Sequence, residues 1–394
     1  MDAWNTPERR ALREVVTRFT EREIVPHLAR WEDEGFLPRS LSRSAADAGI
    51  LGVGFPEEVG GQGGDAIDSA IVSEAIIEAG GSGGLIASLL THGIALPHIL
   101  HSGGPDLIER FVRPTLAGAL IGSLAVTETG GGSDVAGITT RAVRDGDHYV
   151  VNGSKTFITS GVRGDFVTTA VRTGGPGFGG ISLLVIEKGA PGFAVARPLQ
   201  KMGWHCSDTA ELSFTDVRVP VANLIGAENG GFVLLMQHFV DERLGLAVQG
   251  YATAQRALDL AVRHARARET FGKPLASRQV IRHKLVEMHR RTHVARTVTR
   301  AAIDRSLELP GTDPGVVLDA IMAKNTAVEA VEWVVSESVQ IHGGAGYMRD
   351  SEIDRHYRDA RILGIGGGAS EVLTELAAKL LGLTSTTHLD RGPS

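Results

Sequence analysis

IGSLAVTETGGGSDVAGITTRAVRDGDHYVVNGSKTFITS, residues 121–160, is where the pattern of the chain changes. Before it, apolar residues recur at helical spacing; within it they begin to alternate, as in half-buried strand. HYVVNGSKTFITS (148–160) reads as a strand, an Asn152-Gly153 turn and a second strand, since Asn-Gly is the pair a two-residue hairpin favours. FVTTAV, ISLLVIEK and AELSFTDVRV follow as β-branched runs divided by Gly and Pro. A central β domain is predicted, with helices before and after it.

Towards the N-terminus, Thr6 is placed to cap a helix with Pro7 at its first position, and Leu12, Val15, Val16 and Phe19 form one apolar stripe. Glycine-rich breaks at 60–64 and 80–84 separate further helices, and Gly93 and Pro97 interrupt another. From Gly231 helical patterns run through 231–268, 277–307 and 314–342, then a shorter one from 370. Broken only by GKP and LPGTDPG, they predict an antiparallel bundle. The expected fold is mainly α with a central β domain, divided as 1–120, 121–228 and 229–394, with a polar tail after Leu383.

With 22% charged residues and a net charge of −6, bulk charge does not point to nucleic acid. A single cysteine, Cys206, excludes an internal disulfide and suits a reducing compartment. The first helix is charged and lacks a signal-peptide core. Residues 79–105 carry no charge, but glycines, His92, Pro97, His98 and His101 make them too polar to span a bilayer. The expectation is a soluble, cytoplasmic protein with no membrane segment.

Several motifs could carry chemistry. GGSGG (80–84) fits a nucleophile elbow, but that needs a strand before Ser82 and a helix precedes it, so a loop serine is expected. His98 and His101 can share a helix face, yet no acid or cysteine stands at metal spacing, so no metal site is predicted. Residues 262–300 hold eleven Lys or Arg against two acids. A solvated helix face, a nucleic-acid groove or a site for cofactor phosphates would each look like this. Phe271 is the only aromatic there, which disfavours nucleic acid and puts the solvated face first. TETGGGSD (127–134) is more specific: its glycines let backbone amides approach an anion, and Thr127 and Ser133 add hydroxyls. No G-x-G-x-x-G follows a strand into a helix, so a Rossmann site is not supported. QIHGGAGYMRD (340–350) carries more glycine than a helix cap requires. In RILGIGGGASEVL (361–373) three successive glycines, each costing roughly 1 kcal/mol against alanine in a helix, imply that bare backbone is needed.

AVTETGGGSDVAG (125–137) and QIHGGAGYMRDSEIDRHYRD (340–359), in this order and spacing, resemble the two signatures of the acyl-CoA dehydrogenase family. GFPEEVGGQGG, NGSKTFITSG, DTAELSFTDVRVP, GAENGGF and RETFGKPLASRQ extend the resemblance over nearly the whole chain. It implies an N-terminal helical domain, a middle β-barrel-like domain and a C-terminal four-helix bundle, with FAD as cofactor. Val126, Thr127, Gly132 and Ser133 would line the flavin and its pyrophosphate, and Phe157 and Thr159 would lie against the ring. Ala369 and Glu371 match further FAD contacts, although Ala369 replaces the usual Thr. Arg268, Phe271 and Gln279, with Gln340, Gly343 and Gly344, would reach the FAD of a neighbouring subunit, implying a homo-oligomer, usually a tetramer. RDSEID departs from the family's usual acidic-Tyr-Pro run.

The family reaction is α,β-dehydrogenation of an acyl thioester: a carboxylate takes the α-proton while the β-hydrogen leaves as hydride to flavin N5. In most members the base lies in a YEGTS-like stretch; here that stretch is GGGAS, and Gly367 stands at the glutamate position. In the long-chain and isovaleryl types the base comes from an ERL sequence on another helix. This chain has FVDERLGLA (239–247), so Glu242 is the implied base, Arg243 and Ser133 substrate contacts, and the Gly367 N–H the donor to the thioester oxygen. Apart from the resemblance, Glu242 reads as an acid in a first helical turn, favourable to the helix dipole. The implied partners are an acyl-CoA and an electron-transfer flavoprotein. An acyl group on a carrier protein is the second reading; a nitroalkane oxidase or flavin monooxygenase, and a DNA-binding flavoprotein using the basic stretch, come after it.

Overall fold

The computed structural model describes residues 2–383; the polar tail expected after Leu383 lies outside them. Helix α1 (Pro7–Phe19) starts as the sequence predicts, with the Thr6 hydroxyl accepting the Arg9 N–H at 3.3 Å. Helix α2 (Ala66–Glu78) opens on a reciprocal pair, Asp65 and Asp68, each carboxylate taking a backbone N–H of the other's end. It is apolar on most sides and accordingly buried, Ile71, Ile76 and Ile77 completely. Helix α3 (Gly83–Leu89) is capped by Ser82, whose hydroxyl accepts the Leu85 N–H at 3.1 Å. A single turn at His92–Ala95 then leads into α4 (Pro97–Ser102). Among the described residues no single helix is long and apolar enough to cross a membrane; Gly83–Leu89 and His92–Ser102, bent by 55°, pass that test only together. Leu85, Leu96 and Ile99 of this pair are buried within the protein.

The middle of the chain forms β1 (Gly122–Ala125), β2 (Arg141–Asp145), β3 (His148–Thr159), β4 (Phe166–Arg172), β5 (Ile181–Glu187), β6 (Phe193–Pro198), β7 (Thr209–Pro220) and β8 (Leu224–Ile225). Their order in one sheet is β6-β7-β3-β2-β4-β5-β8, with β1 alongside β4 in parallel. Strands β4 and β5 are buried along almost their whole length, in keeping with their mainly apolar, β-branched runs, in which Thr168, Thr169 and Ser182 are also buried.

The sequence expectation of a turn at Asn152-Gly153 is wrong. Strand β3 runs straight through it, and the β2–β3 turn is at Gly146, φ 64°. An Asn-Gly turn needs its two flanks to pair with each other, whereas Val150 and Val151 are already paired to β2 on one side and β7 on the other. Asn152 instead exchanges hydrogen bonds with Asp216 of β7, at 2.9 Å in both directions. Gly153 is needed for a bulge: its φ is 146°, and a Cβ there would lie 2.6 Å from Thr140 Oγ1. A second bulge between Lys155 and Ile158 turns Phe157 out of the sheet.

The C-terminal helices are α5 (Gly231–Ala267), α6 (Gln279–Ser306), α7 (Pro314–His342) and α8 (Ser370–Leu380). The first half of α5 joins the core of the N-terminal helices through Val240, Leu244 and Val248, and its second half packs with α7 through Ala257, Ala261 and Val331. The basic stretch is in part the solvated face that ranks first from sequence, with Arg263, Arg266, Arg268, Lys273, Arg282 and Arg290 exposed, but others of its cations are paired. Arg296 and Arg300 converge with Arg13 on Glu74, which is buried on α2, and Arg291 and Lys284 pair with Glu287 and Glu337.

Candidate active site

Glu242 is not in a first helical turn, as the dipole reading requires: it lies on α5 eleven residues after Gly231, half-buried, and faces the glycine loop that precedes α8. Gly367 has φ 62°, a conformation that disfavours any residue with a Cβ. A Cβ built there would lie 3.5 Å from Glu242 Oε1 and 2.5 Å from Leu246 Cδ1. The fold thus brings together the carboxylate on one element and the missing side chain on the other. Burial pushes the Glu242 carboxyl above the ordinary carboxylate range, with Arg243 and Lys324 opposing that rise. Arg243 is 6% exposed, and its Nε and Nη1 have no partner among the described residues. A buried guanidinium with free donors is half of an interaction, and its natural complement is a carbonyl- or phosphate-bearing ligand.

The residues matched to the flavin meet around β3. Thr127 is stitched to that strand by two bonds: its carbonyl accepts the Thr156 N–H at 2.9 Å and its hydroxyl donates to the Thr156 carbonyl. Beneath them lies an ion pair the sequence reading did not single out. Lys155 Nζ, fully buried, donates to Glu128 at 2.8 Å and to the Val126 carbonyl at 2.9 Å. Glu128 also accepts the Thr139 and Thr140 N–H groups. Burial works against its charge, but Lys155 and these donors outweigh burial and hold its pKa at about 2. Val126 and Thr127 are therefore fixed from below, while Gly132 and Ser133 stay exposed. Phe157 has φ 61° and is 70% exposed, and Thr159 is half-buried beside it. A bare aromatic face beside an open glycine loop, with nothing within 4 Å of where a Gly130 Cβ would sit, fits a flat ring carrying a phosphate chain.

A groove of about 580 Å³ between α7 and α8 is lined by Ala369 and Glu371 together with Glu329, Glu332 and Glu375. Its carboxylates disfavour a pyrophosphate, so an FAD reaching Ala369 and Glu371 would do so with an uncharged part.

The remaining matched residues lie elsewhere. Arg268 follows the end of α5, Phe271 is 97% exposed in the next loop, and Gln279 opens α6. Gln340 lies in the last turn of α7, Gly343 and Gly344 directly follow that helix, and the His264 and His342 rings, 4.4 Å apart, bring the two helix ends together. Glu242 and Arg268 are separated by 26 residues of one helix, hence by about 39 Å along its axis. Within one chain these two groups are therefore not neighbours in a single site.

Lys324 of α7 was also missed. It is fully buried, and its ammonium donates to the Gly366 carbonyl at 2.6 Å and to the Gly368 carbonyl. The available signal was a lone cation in the apolar run VVLDAIMAKNTAVEAV.

Three family models match in chain order: the acyl-CoA dehydrogenase N-terminal domain at residues 6–119, the middle domain at 123–217 and the C-terminal domain at 229–382. The mitochondrial long-chain specific acyl-CoA dehydrogenase of Sus scrofa is 40% identical over 373 residues, covering 93% of this chain and 85% of its own. A probable acyl-CoA dehydrogenase from Mycobacterium abscessus is 67% identical in its crystal structure, with a TM-score of 0.95, covering 96% of this chain and all of that one. The prolyl acyl carrier protein oxidase AnaB is 27% identical, with a TM-score of 0.90, over 96% of this chain and 100% of its own.

Proposed function

The chain belongs to the acyl-CoA dehydrogenase family of FAD-dependent oxidoreductases, and we propose that it desaturates an acyl-CoA thioester between Cα and Cβ with Glu242 as the base. The observation that carries this reading is the position of Glu242 Oε1, 3.5 Å from where a Gly367 side chain would begin.

Bound FAD supplies the acceptor for the two electrons and the β-hydrogen. The protein's own work is on the other hydrogen. A thioester α-proton is weakly acidic, so deprotonation needs a nearby base and donors at the carbonyl oxygen. The Glu242 carboxylate takes the α-proton, and its burial makes it a stronger base than an exposed glutamate. The Gly367 N–H stabilises the negative charge that develops on the thioester oxygen. Arg243, with free donors, holds the polar part of the carrier arm. Val126, Thr127, Ser133, Phe157 and Thr159 would hold the flavin, and Arg268, Phe271, Gln279, Gln340 and Gly344 of a second copy its far end. That arrangement makes a homo-oligomer, a tetramer by family pattern, part of the site, with an electron-transfer flavoprotein as the onward acceptor.

The likeness to a carrier-protein oxidase supports a second reading, the same chemistry on a carrier-bound acyl group. Anaerobic titration of the yellow protein with a panel of acyl-CoAs and acyl carrier proteins separates the two. Bleaching by acyl-CoAs at micromolar levels supports the first, and bleaching by carrier-bound groups alone supports the second.

A further inference from the structure

The Gly366–Gly368 loop would be free to turn its amides if nothing held it, since glycine carries the widest backbone freedom of any residue. Two contacts hold it. The Gly366 N–H is spent on the Ile362 carbonyl at 2.8 Å. On the other side Lys324, arriving from α7, accepts no such freedom: its Nζ bonds the carbonyls of both Gly366 and Gly368, on either side of Gly367. The Gly366 carbonyl and the Gly367 N–H belong to one peptide unit, and no peptide bond among the described residues is cis. In a trans peptide these two groups point in opposite directions. An ammonium fixed on the carbonyl therefore aims the N–H away from itself. It also polarises the peptide, making that N–H a better donor. The Gly367 N–H has no acceptor among the described residues.

We propose that Lys324 is a positioning residue, which clamps the glycine loop so that the Gly367 N–H points at the thioester oxygen and whose charge favours the ionised forms of both Glu242 and the developing enolate. This rests on the thioester reading above. The charged groups around Glu242 are Arg243 on its own helix and Lys324 on α7. Burial lowers Lys324 to about 8, so it is charged near neutrality. It forms no direct ion pair with Glu242, so its effect on the base is through space.

The test uses the flavin-loaded protein, Lys324→Met and Lys324→Gln, and 3-thiaacyl-CoAs of several chain lengths. In these probes sulfur replaces the β-carbon. The α C–H bond breaks, the proton goes to Glu242 and the electron pair stays on the enolate, but no hydride can follow. The enolate's long-wavelength band against oxidised flavin therefore reports deprotonation without turnover. In the Met variant, with probe affinity kept within about threefold, the band's acidic midpoint should rise by about one pH unit, so that its amplitude well below the parent's midpoint falls about tenfold. Amide exchange over residues 362–373 should quicken at least about tenfold. The Gln variant, which keeps an N–H donor but no charge, should slow that exchange again without restoring the midpoint. A Met variant with the parent's midpoint and exchange overturns the proposal. So does one that loses flavin and thermal stability while its midpoint stays put, since Lys324 would then serve the fold alone. If the parent gives no band with any probe, the thioester reading falls, while the exchange comparison still decides whether Lys324 clamps the loop.

Discussion

At the scale of single residues, the site turns on an exchange between two positions. Gly367 lacks the side chain and Glu242 has it, and the fold sets them against each other across a gap of one side chain. The exchange was legible in the sequence because both halves sit inside motifs, GGGAS and DERL. Lys324 was not legible, because a lysine in an apolar helix is marked as unusual but not told what it faces. Two outcomes follow. Adding a methyl at Gly367 forces a Cβ onto a left-handed backbone and against Leu246, so Gly367→Ala should lose about 1–2 kcal/mol of stability, read by urea unfolding, and slow flavin reduction by crowding Glu242. As the proposed base Glu242 has to be ionised, and burial raises its pKa, so kcat/KM should fall on the acidic side through a midpoint above 4.5. A midpoint in the ordinary range of an exposed glutamate would speak against it.

At the scale of elements, the β3 strand and the loop before it form a unit held by Lys155 and Glu128. Removing one member leaves the other buried and unpaired, so Lys155→Met should cost about 3–5 kcal/mol and release flavin, measured by unfolding and by absorbance of the filtrate. The pH dependence has a definite sign. Glu128 has a folded pKa of about 2 against 4.5 when free, so its contribution is fully present above 4.5 and is lost as pH falls from there towards 2. It amounts to about 3 kcal/mol, and Lys155→Met should flatten that part of the stability profile. The order of helices, strands and helices was readable from period alone. The placing of the first hairpin was not, because Asn152-Gly153 carries the composition of a turn, while its real use depends on Asp216 and Thr140, distant partners that local pattern does not reveal.

For the whole molecule, α5 (Gly231–Ala267) carries the proposed base eleven residues from its start and leads at its C-terminal end into the second set of matched cofactor contacts, about 39 Å away along the helix. A site that uses both must be shared between copies. Phe271, 97% exposed, is the most direct handle on this. Phe271→Asp should weaken subunit association and raise the flavin dissociation constant together, by at least about tenfold, in sedimentation and flavin-release measurements on the same sample. Flavin retention by a dissociated subunit would show that the far contacts are not part of the site. The most direct measurement overall is anaerobic stopped-flow mixing of Glu242→Gln with the acyl-CoA that bleaches the parent fastest. Flavin content and thioester affinity should stay near those of the parent while flavin reduction falls about 10²–10⁴-fold or more; reduction at the parent's rate would contradict Glu242 as the base.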